Sequence, residues 1–143
     1  MIYFLRHGDA EDGDGDDASR RLTAKGERQA RAAGAALAAL GVDIDTCLTS
    51  PKVRATQTAG IASEPLEIDV EICEALSGGP FDANELTAAR GAVLLVGHEP
   101  DFSNEVARMT GARVKLKKGG LAAVDGAVLK ALLRPADLLA ISL

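Results

Sequence analysis

Tryptophan is absent from the 143 residues, tyrosine occurs once and phenylalanine three times. Base stacking is therefore poorly supplied, and the many alanines point to closely packed helices in place of an aromatic core. Basic residues are outnumbered, 16 against 21 acidic, giving a net charge of −5 and a pI near 5.0. That balance argues against general affinity for nucleic acid or an anionic membrane surface. No apolar run approaches the roughly 20 residues of a membrane span, and Met1–Leu5 is too short for a signal-peptide core, so a cytoplasmic location is expected. The only two cysteines, Cys47 and Cys73, form neither a CxxC pair nor a metal knuckle and read as small buried hydrophobes. The length suits one domain, spanning 1–143, and a monomer is expected.

Strand and helix signals alternate along the chain. The continuous apolar run Ile2–Leu5 suits a strand buried on both faces. Asp9 to Asp17 then carries six acidic residues with Gly13 and Gly15 among them, a composition that cannot pack and reads as a solvated loop. Asp12, Asp14 and Asp16 alternate as in a calcium loop, but the position needing glycine is Asp17 and the one needing glutamate is Thr23, so a calcium site is rejected. Thr23 reads as the N-cap of a helix with Ala30, Ala33, Leu37 and Leu40 on its apolar face, ended by Gly41. A strand is predicted over 45–49, a helix opened by Ser50-Pro51 follows, a third strand is predicted over Leu66–Val70, and Asn84–Arg90 reads as helix. Ala92–Val96 is the strongest strand signal, and Phe102, Val106 and Met109 line a helix after it. Strands are predicted over Val114–Leu116, Leu121–Val124 and Val128–Leu133, with a short helix after Pro135. The pattern gives an α/β three-layer sandwich with a mostly parallel central sheet flanked by helices and antiparallel strands near the C-terminus. Lys115, Lys117 and Lys118 read as the charged guard of an exposed strand.

The only two histidines occupy matching places, each after an apolar strand and each beside a glycine: Leu5-Arg6-His7-Gly8 and Val96-Gly97-His98. In parallel α/β sheets ligands bind beyond the carboxyl ends of strands, so both imidazoles can reach one crevice. Arg6 adjoins His7, and Arg54 sits near the start of a helix that follows a strand end, where backbone N–H groups add positive potential. Imidazole and guanidinium at strand ends describe a phosphoryl site. Metal ligation is disfavoured, because two histidines are few and flanking arginines repel a cation.

Three segments in this order, Leu5-Arg6-His7-Gly8, Ser50-Pro51-x-x-Arg54-Ala55-x-Gln57-Thr58-Ala59 and Val96-Gly97-His98-Glu99-Pro100, resemble the histidine phosphatase superfamily, whose fold is phosphoglycerate mutase-like. Within it the chain resembles the short SixA-like phosphohistidine phosphatases, through its compactness, Arg20-Arg21-Leu22-Thr23-x-x-Gly26, and Lys117-Lys118-Gly119-Gly120-Leu121-Ala122. The resemblance implies a nucleophilic His7 that forms a phosphohistidine intermediate, with Arg6, Arg54 and His98 holding phosphoryl oxygens. It implies no metal and no cofactor, and a phosphohistidine-bearing protein as substrate. Arg20 matches a further phosphate-binding arginine, although the usual Arg-Pro-Leu-Thr has become Arg20-Arg21-Leu22-Thr23, which leaves Arg20 and Arg21 as alternatives. Glu74 lies where many members place a proton donor, with Asp9 as a second candidate. A phosphoramidate leaves as neutral imidazole once its nitrogen is protonated, so a strong protein acid matters less than for an alkoxide. Ser50, Gln57 and Thr58 are expected to shape the helix bearing Arg54. A small phosphate ester as substrate, as in a phosphomonoesterase or a phosphoglycerate-mutase-like enzyme, is one alternative; a non-catalytic phospho-binding module is another.

Overall fold

Along β1 (Ile2–Arg6) successive side chains point to opposite faces, and both faces are buried: Tyr3 and Leu5 enter one apolar cluster, Ile2 and Phe4 the other. The same alternation holds in β4 (Val93–Gly97), where Leu94 and Val96 oppose Val93 and Leu95. This is why both runs are continuously apolar: each central strand lies between two helical layers. The computed structural model describes residues 1–13 and 15–143, and Asp14, part of the rejected calcium pattern, lies outside them.

The remaining strands are β2 (Thr46–Thr49), β3 (Val70–Ile72), β5 (Leu121–Asp125) and β6 (Val128–Leu133). They form one six-stranded sheet in the order β3-β2-β4-β1-β5-β6. The first four in that order are parallel, while β5 runs antiparallel to β1 and β6 antiparallel to β5. One face is covered by α1 (Ala24–Ala39), α2 (Val53–Ser63) and α5 (Pro135–Ser142), whose Ala33, Ala36, Ala55, Ala59 and Leu138 are buried against it. Alanine on α1 and α2 lets these helices approach each other and the sheet closely. The opposite face carries α3 (Ala83–Thr87) and α4 (Asp101–Thr110), with Phe102 packed between Phe4 and Phe81 at centroid distances of 5.4 and 5.7 Å. The mixed α/β sandwich expected from the sequence is the one observed.

Local boundaries differ by more than one residue in four places. The third strand begins at Val70, not Leu66, because Pro65 favours a tight 3-10 turn over Glu64–Leu66 and Glu67 then takes a left-handed conformation (φ 54°). No strand forms over Val114–Leu116. Leu116 is instead buried beneath the sheet edge, with its N–H donating to Ser103 Oγ and its carbonyl accepting from Arg6, so the segment's hydrogen bonds go to side chains and not to a ladder. The helix expected over Asn84–Arg90 is α3, ending at Thr87, and α2 starts at Val53 instead of beside Ser50. Thr23 caps α1 through Gly26 N, and Gly41 follows that helix in the left-handed region, both as the sequence indicates. Cys47 is buried, with its thiol pushed up to about 11 by burial, and Cys73 is half-buried; both are free. Among the described residues no helix is long and apolar enough to cross a membrane.

Candidate active site

Three parallel strands end at one level. In the pairing register Arg6 stands opposite Gly97, and Thr49 opposite Val96, so His7, Ser50 and His98 each follow a strand end along the same edge of the sheet. The backbone continues the ladder by one step there, with His7 N–H donating to Gly97 O and Ser50 N–H to Val96 O, both at 3.0 Å. The histidine rings come to a centroid separation of 5.2 Å.

Each flanking glycine has a steric cause. A Cβ at Gly8 would lie 2.6 Å from the Gly26 carbonyl oxygen, so the loop after His7 can lie against α1 only without a side chain. A Cβ at Gly97 would lie 2.6 Å from the Phe102 ring, which packs directly under the turn into His98. Gly8 N–H donates to Thr58 Oγ1, whose hydroxyl in turn donates to Arg54 O, and Leu22 N–H donates to Gln57 Oε1. Thr58 and Gln57 thus tie the loops of Gly8 and Leu22 to the helix bearing Arg54, beyond the helix-shaping part expected of them.

The tautomer of His7 is fixed by its neighbour. Its Nδ1 lies 2.7 Å from Gly8 O, and a carbonyl can only accept, so Nδ1 carries the proton and Nε2 keeps the lone pair. Burial holds the His7 pKa down at about 4; the Gly8 hydrogen bond opposes this, while the charges of Arg54, Arg6 and Lys118 reinforce it. His98 is held lower, at about 3, by burial and then by His7, Arg54 and Lys52. Both imidazoles are neutral at pH 7. His98 Nε2 lies 2.7 Å from Ser50 Oγ, which also accepts from Lys52 N–H, so Ser50 orients the second histidine as well as the start of α2. That second role of Ser50 was not legible in the sequence.

A cavity of about 370 Å³ opens over these groups, lined among others by Arg6, His7, Arg20, Lys52, Arg54 and His98. Arg54 is buried in the first turn of α2. Its guanidinium donates to Asp17 O at 2.8 Å and to Asp17 Oδ2 at 3.1 Å. Arg6 donates through Nη1 to Leu116 O and is held somewhat below the usual guanidinium range by burial. Arg20 reaches the cavity, anchored by Glu11 O and the Asp17 carboxylate, whereas Arg21 is exposed and does not line it. Of the two arginines open in the sequence, Arg20 is therefore the one placed at the site.

Glu74 is not brought there. It sits exposed on a 3-10 turn, Glu74–Leu76, and the chain only then passes into the cavity wall at Ser77 and Gly78. Asp9 lies beside the cavity, but its carboxylate accepts from Thr23 Oγ1 and pairs with Lys118, which keeps it below the usual carboxylate range and so ionised. The carboxylates lining the cavity are Glu99 and Asp101, which sequence reasoning passed over. Glu99 receives Ser103 N–H and Oγ–H, and Asp101 receives Gly79 N–H. Lys52 and Lys118 were likewise missed as lining residues. Lys115, Lys117 and Lys118 guard no strand; they stand on the irregular segment between α4 and β5, with Lys118 in a turn, beside the site. Among the described residues no group of three His, Cys, Asp or Glu is placed to hold a metal ion.

Comparison with known proteins agrees with this geometry. Residues 2–98 match the model of the histidine phosphatase superfamily (branch 1). The chain belongs to that superfamily. An uncharacterized protein of Picosynechococcus sp. is 37% identical, over 84% of this chain and 81% of the relative. Among solved structures, the protein histidine phosphatase SixA complexed with tungstate superposes with a TM-score of 0.82 at 24% identity, covering 96% of this chain and 98% of that one. The putative phosphohistidine phosphatase SixA from Agrobacterium tumefaciens gives 0.81 at 24% identity over 94% and 97%. A putative alpha-ribazole-5'-P phosphatase from Escherichia coli gives 0.74 at 17% identity over 94% and 96%. The fold is thus the SixA-like form of the histidine phosphatase fold, and family membership assigns the chain to phosphatases that work through a histidine.

Proposed function

We propose that this protein removes the phosphoryl group from phosphohistidine in proteins, through a covalent intermediate on His7. The observation that carries the reading is the Nδ1–H···O=C bond from His7 to Gly8, which leaves a neutral ring with its Nε2 lone pair beside a cavity lined by Arg6, Arg20 and Arg54. In the first step Nε2 attacks phosphorus, the substrate's P–N bond breaks, and the departing imidazole nitrogen takes its proton from water. In the second, water attacks the phosphorus on His7, loses a proton to solvent, and inorganic phosphate leaves with His7 restored. The guanidinium groups and His98 hold the equatorial oxygens where charge accumulates.

Two features support a phosphoramidate in a protein over a small ester. Asp9 is fixed as an anion by Thr23 and Lys118, both oxygens of Glu99 are engaged by Ser103, and Asp101 accepts from Gly79 N–H, which suits a leaving group that departs without a strong protein acid. The cavity is also open to solvent at the strand ends, and the solved SixA structure it resembles is described as that of a protein histidine phosphatase.

The test compares phosphate release from a histidine-phosphorylated protein and from a small aryl phosphate, with wild type and His7→Ala. Faster release from the phosphoprotein, an acid-labile phosphoenzyme in wild type, and neither in His7→Ala are the expected results. Preference for the aryl ester would replace the reading with a phosphomonoesterase, and phosphate binding without release would replace it with a binding module.

A further inference from the structure

Beside the phosphoryl cavity runs a second, larger hollow of about 790 Å³, between the start of α1, the segment before β5 and the start of α5. Arg6 and Lys118 line both, so the two adjoin. The larger one is strongly basic on a protein of net charge −5, with Lys25, Lys115, Lys117 and Arg134 also on its walls. Its carboxylate is Asp9, already paired with Lys118, while Arg134 is paired with Asp137. Lys25, Lys115 and Lys117 form no ion pair among the described residues, and all three are exposed. Concentrating unpaired cations here leaves the rest of the surface more acidic than the net charge suggests. No fold requirement explains them, because they guard no strand and cap no helix.

Past Lys25 and Gln29, which it shares with this hollow, lies an apolar depression of about 230 Å³ lined also by Ala32, Pro135, Ala136 and Leu139. Leu139 is 54% exposed there, on a helix whose Leu138 is fully buried. A basic channel leading away from the reacting phosphorus and ending at an exposed apolar pocket matches a polypeptide carrying carboxylates and then an apolar side chain.

We propose that this groove docks an acidic segment of the phosphoprotein substrate, with its carboxylates against Lys25, Lys115 and Lys117 and an apolar side chain against Leu139. The proposal rests on the reading that the substrate is a phosphoprotein. Charge complementarity at this rim acts on encounter and on KM, and weakens with salt, while the phosphoryl-transfer step stays with the histidines and arginines.

The test is the charge-reversed protein Lys25→Glu/Lys115→Glu/Lys117→Glu, none of whose altered residues lines the phosphoryl cavity. At low ionic strength kcat/KM toward an acidic histidine-phosphorylated protein should fall on the order of tenfold through KM. Its salt dependence should flatten, while release from a small phosphoramidate stays within about twofold. An unchanged KM for the phosphoprotein overturns the proposal, and so does an equal loss on the small substrate, which would mark the groove as part of a small-anion site. A separate binding assay needs no turnover: a fluorescent, unphosphorylated Glu/Leu-rich peptide should bind His7→Ala and should bind it less well after the three reversals or Leu139→Asp. Absence of peptide binding overturns the groove even if phosphoprotein turnover is seen, and peptide binding without phosphoprotein turnover upholds the groove while overturning the proposed substrate reaction.

Discussion

The Asp17 carboxylate lies 3.1 Å from Arg54 Nη2, and the Asp17 carbonyl 2.8 Å from Arg54 Nη1, so one residue of the acidic loop engages both terminal nitrogens of the buried arginine that lines the cavity, while its Nε–H has no partner among the described residues. Arg20 shares the same carboxylate at 3.1 Å and Lys52 stands 3.7 Å away. A carboxylate among three cations occupies donors that a phosphoryl oxygen would otherwise meet, and these cations hold its pKa below the usual range. In Asp17→Asn the backbone contact to Arg54 persists but the competing charge is gone. Inorganic phosphate should then bind about two- to fivefold more tightly by calorimetry, the scale of an exposed ion pair. Weaker binding would mean that the carboxylate's main part is to orient Arg54.

The acidity profile follows from the two buried imidazoles. His7 and His98, at about 4 and 3, lie below the ordinary 6.5 because burial disfavours their charged forms. Activity should therefore be flat from pH 7 down to about 5 and fall as His7 protonates near 4, rather than showing an inflection near 6.5. Stability changes sooner. The unfolded chain takes up protons from pH 6.5 downward while the folded one does not, so folding is favoured above 6.5 and loses free energy as pH falls toward 3. Urea midpoints at pH 7.5, 5.5 and 4.5 should decrease in that order, and a midpoint unchanged between 7.5 and 5.5 would show the imidazoles to be less buried than described.

Ser50→Ala removes the hydroxyl 2.7 Å from His98 Nε2 while leaving the ring in place. A drop in kcat of about tenfold is expected, accompanied by a changed nitrogen chemical shift at His98 Nε2 in NMR. If kcat falls while that resonance stays put, Ser50 acts through the start of α2 instead.

Removing Arg54 should cost far more than removing Glu74. Arg54→Ala loses one preorganised donor to the transferring group, typically worth about 100- to 1,000-fold in kcat. Glu74→Gln, on an exposed turn outside the cavity wall, should stay within about twofold of wild type. A large loss in Glu74→Gln would require that turn to close over the site during turnover.

Phe102→Ala tests the packing beneath the second histidine. The ring is 1% exposed, meets Phe4 and Phe81, and lies where a Gly97 side chain would be. Its loss should cost about 3–5 kcal/mol by chemical denaturation. Activity should fall as well, because the turn carrying His98 loses its support.

Much of this site could be read in the residues themselves, for a physical reason. His7, His98 and Arg54 are tied to regular features, a strand end or a helix start, and such features announce themselves through apolar runs and through Ser50-Pro51. What the sequence concealed depends on side chains reaching across the fold. Arg20 and Arg21 are adjacent and chemically identical, and only the anchoring of Arg20 by Glu11 O and Asp17 separates them. The strand expected at Val114–Leu116 has the right alternation, but Ser103 and Arg6 claim the backbone groups of Leu116. Glu74 was placed by family position, and nothing in the local sequence fixes how a 3-10 turn directs a carboxylate.

Strand β1 lies between β4 and β5, and this has a bearing on synthesis. The residues bearing Arg6 and His7 are made long before residues 93–97 and 121–125, which supply their two sheet neighbours. Gly119 N–H, which donates to the carbonyls of Arg6 and His7, arrives just as late. A nascent chain that already carries both histidines, Arg6, Arg20 and Arg54 thus still lacks β5 and the Gly119 contact that flank His7. The arrangement around His7 therefore rests on contacts of long sequence separation, which cost more loop closure than local ones.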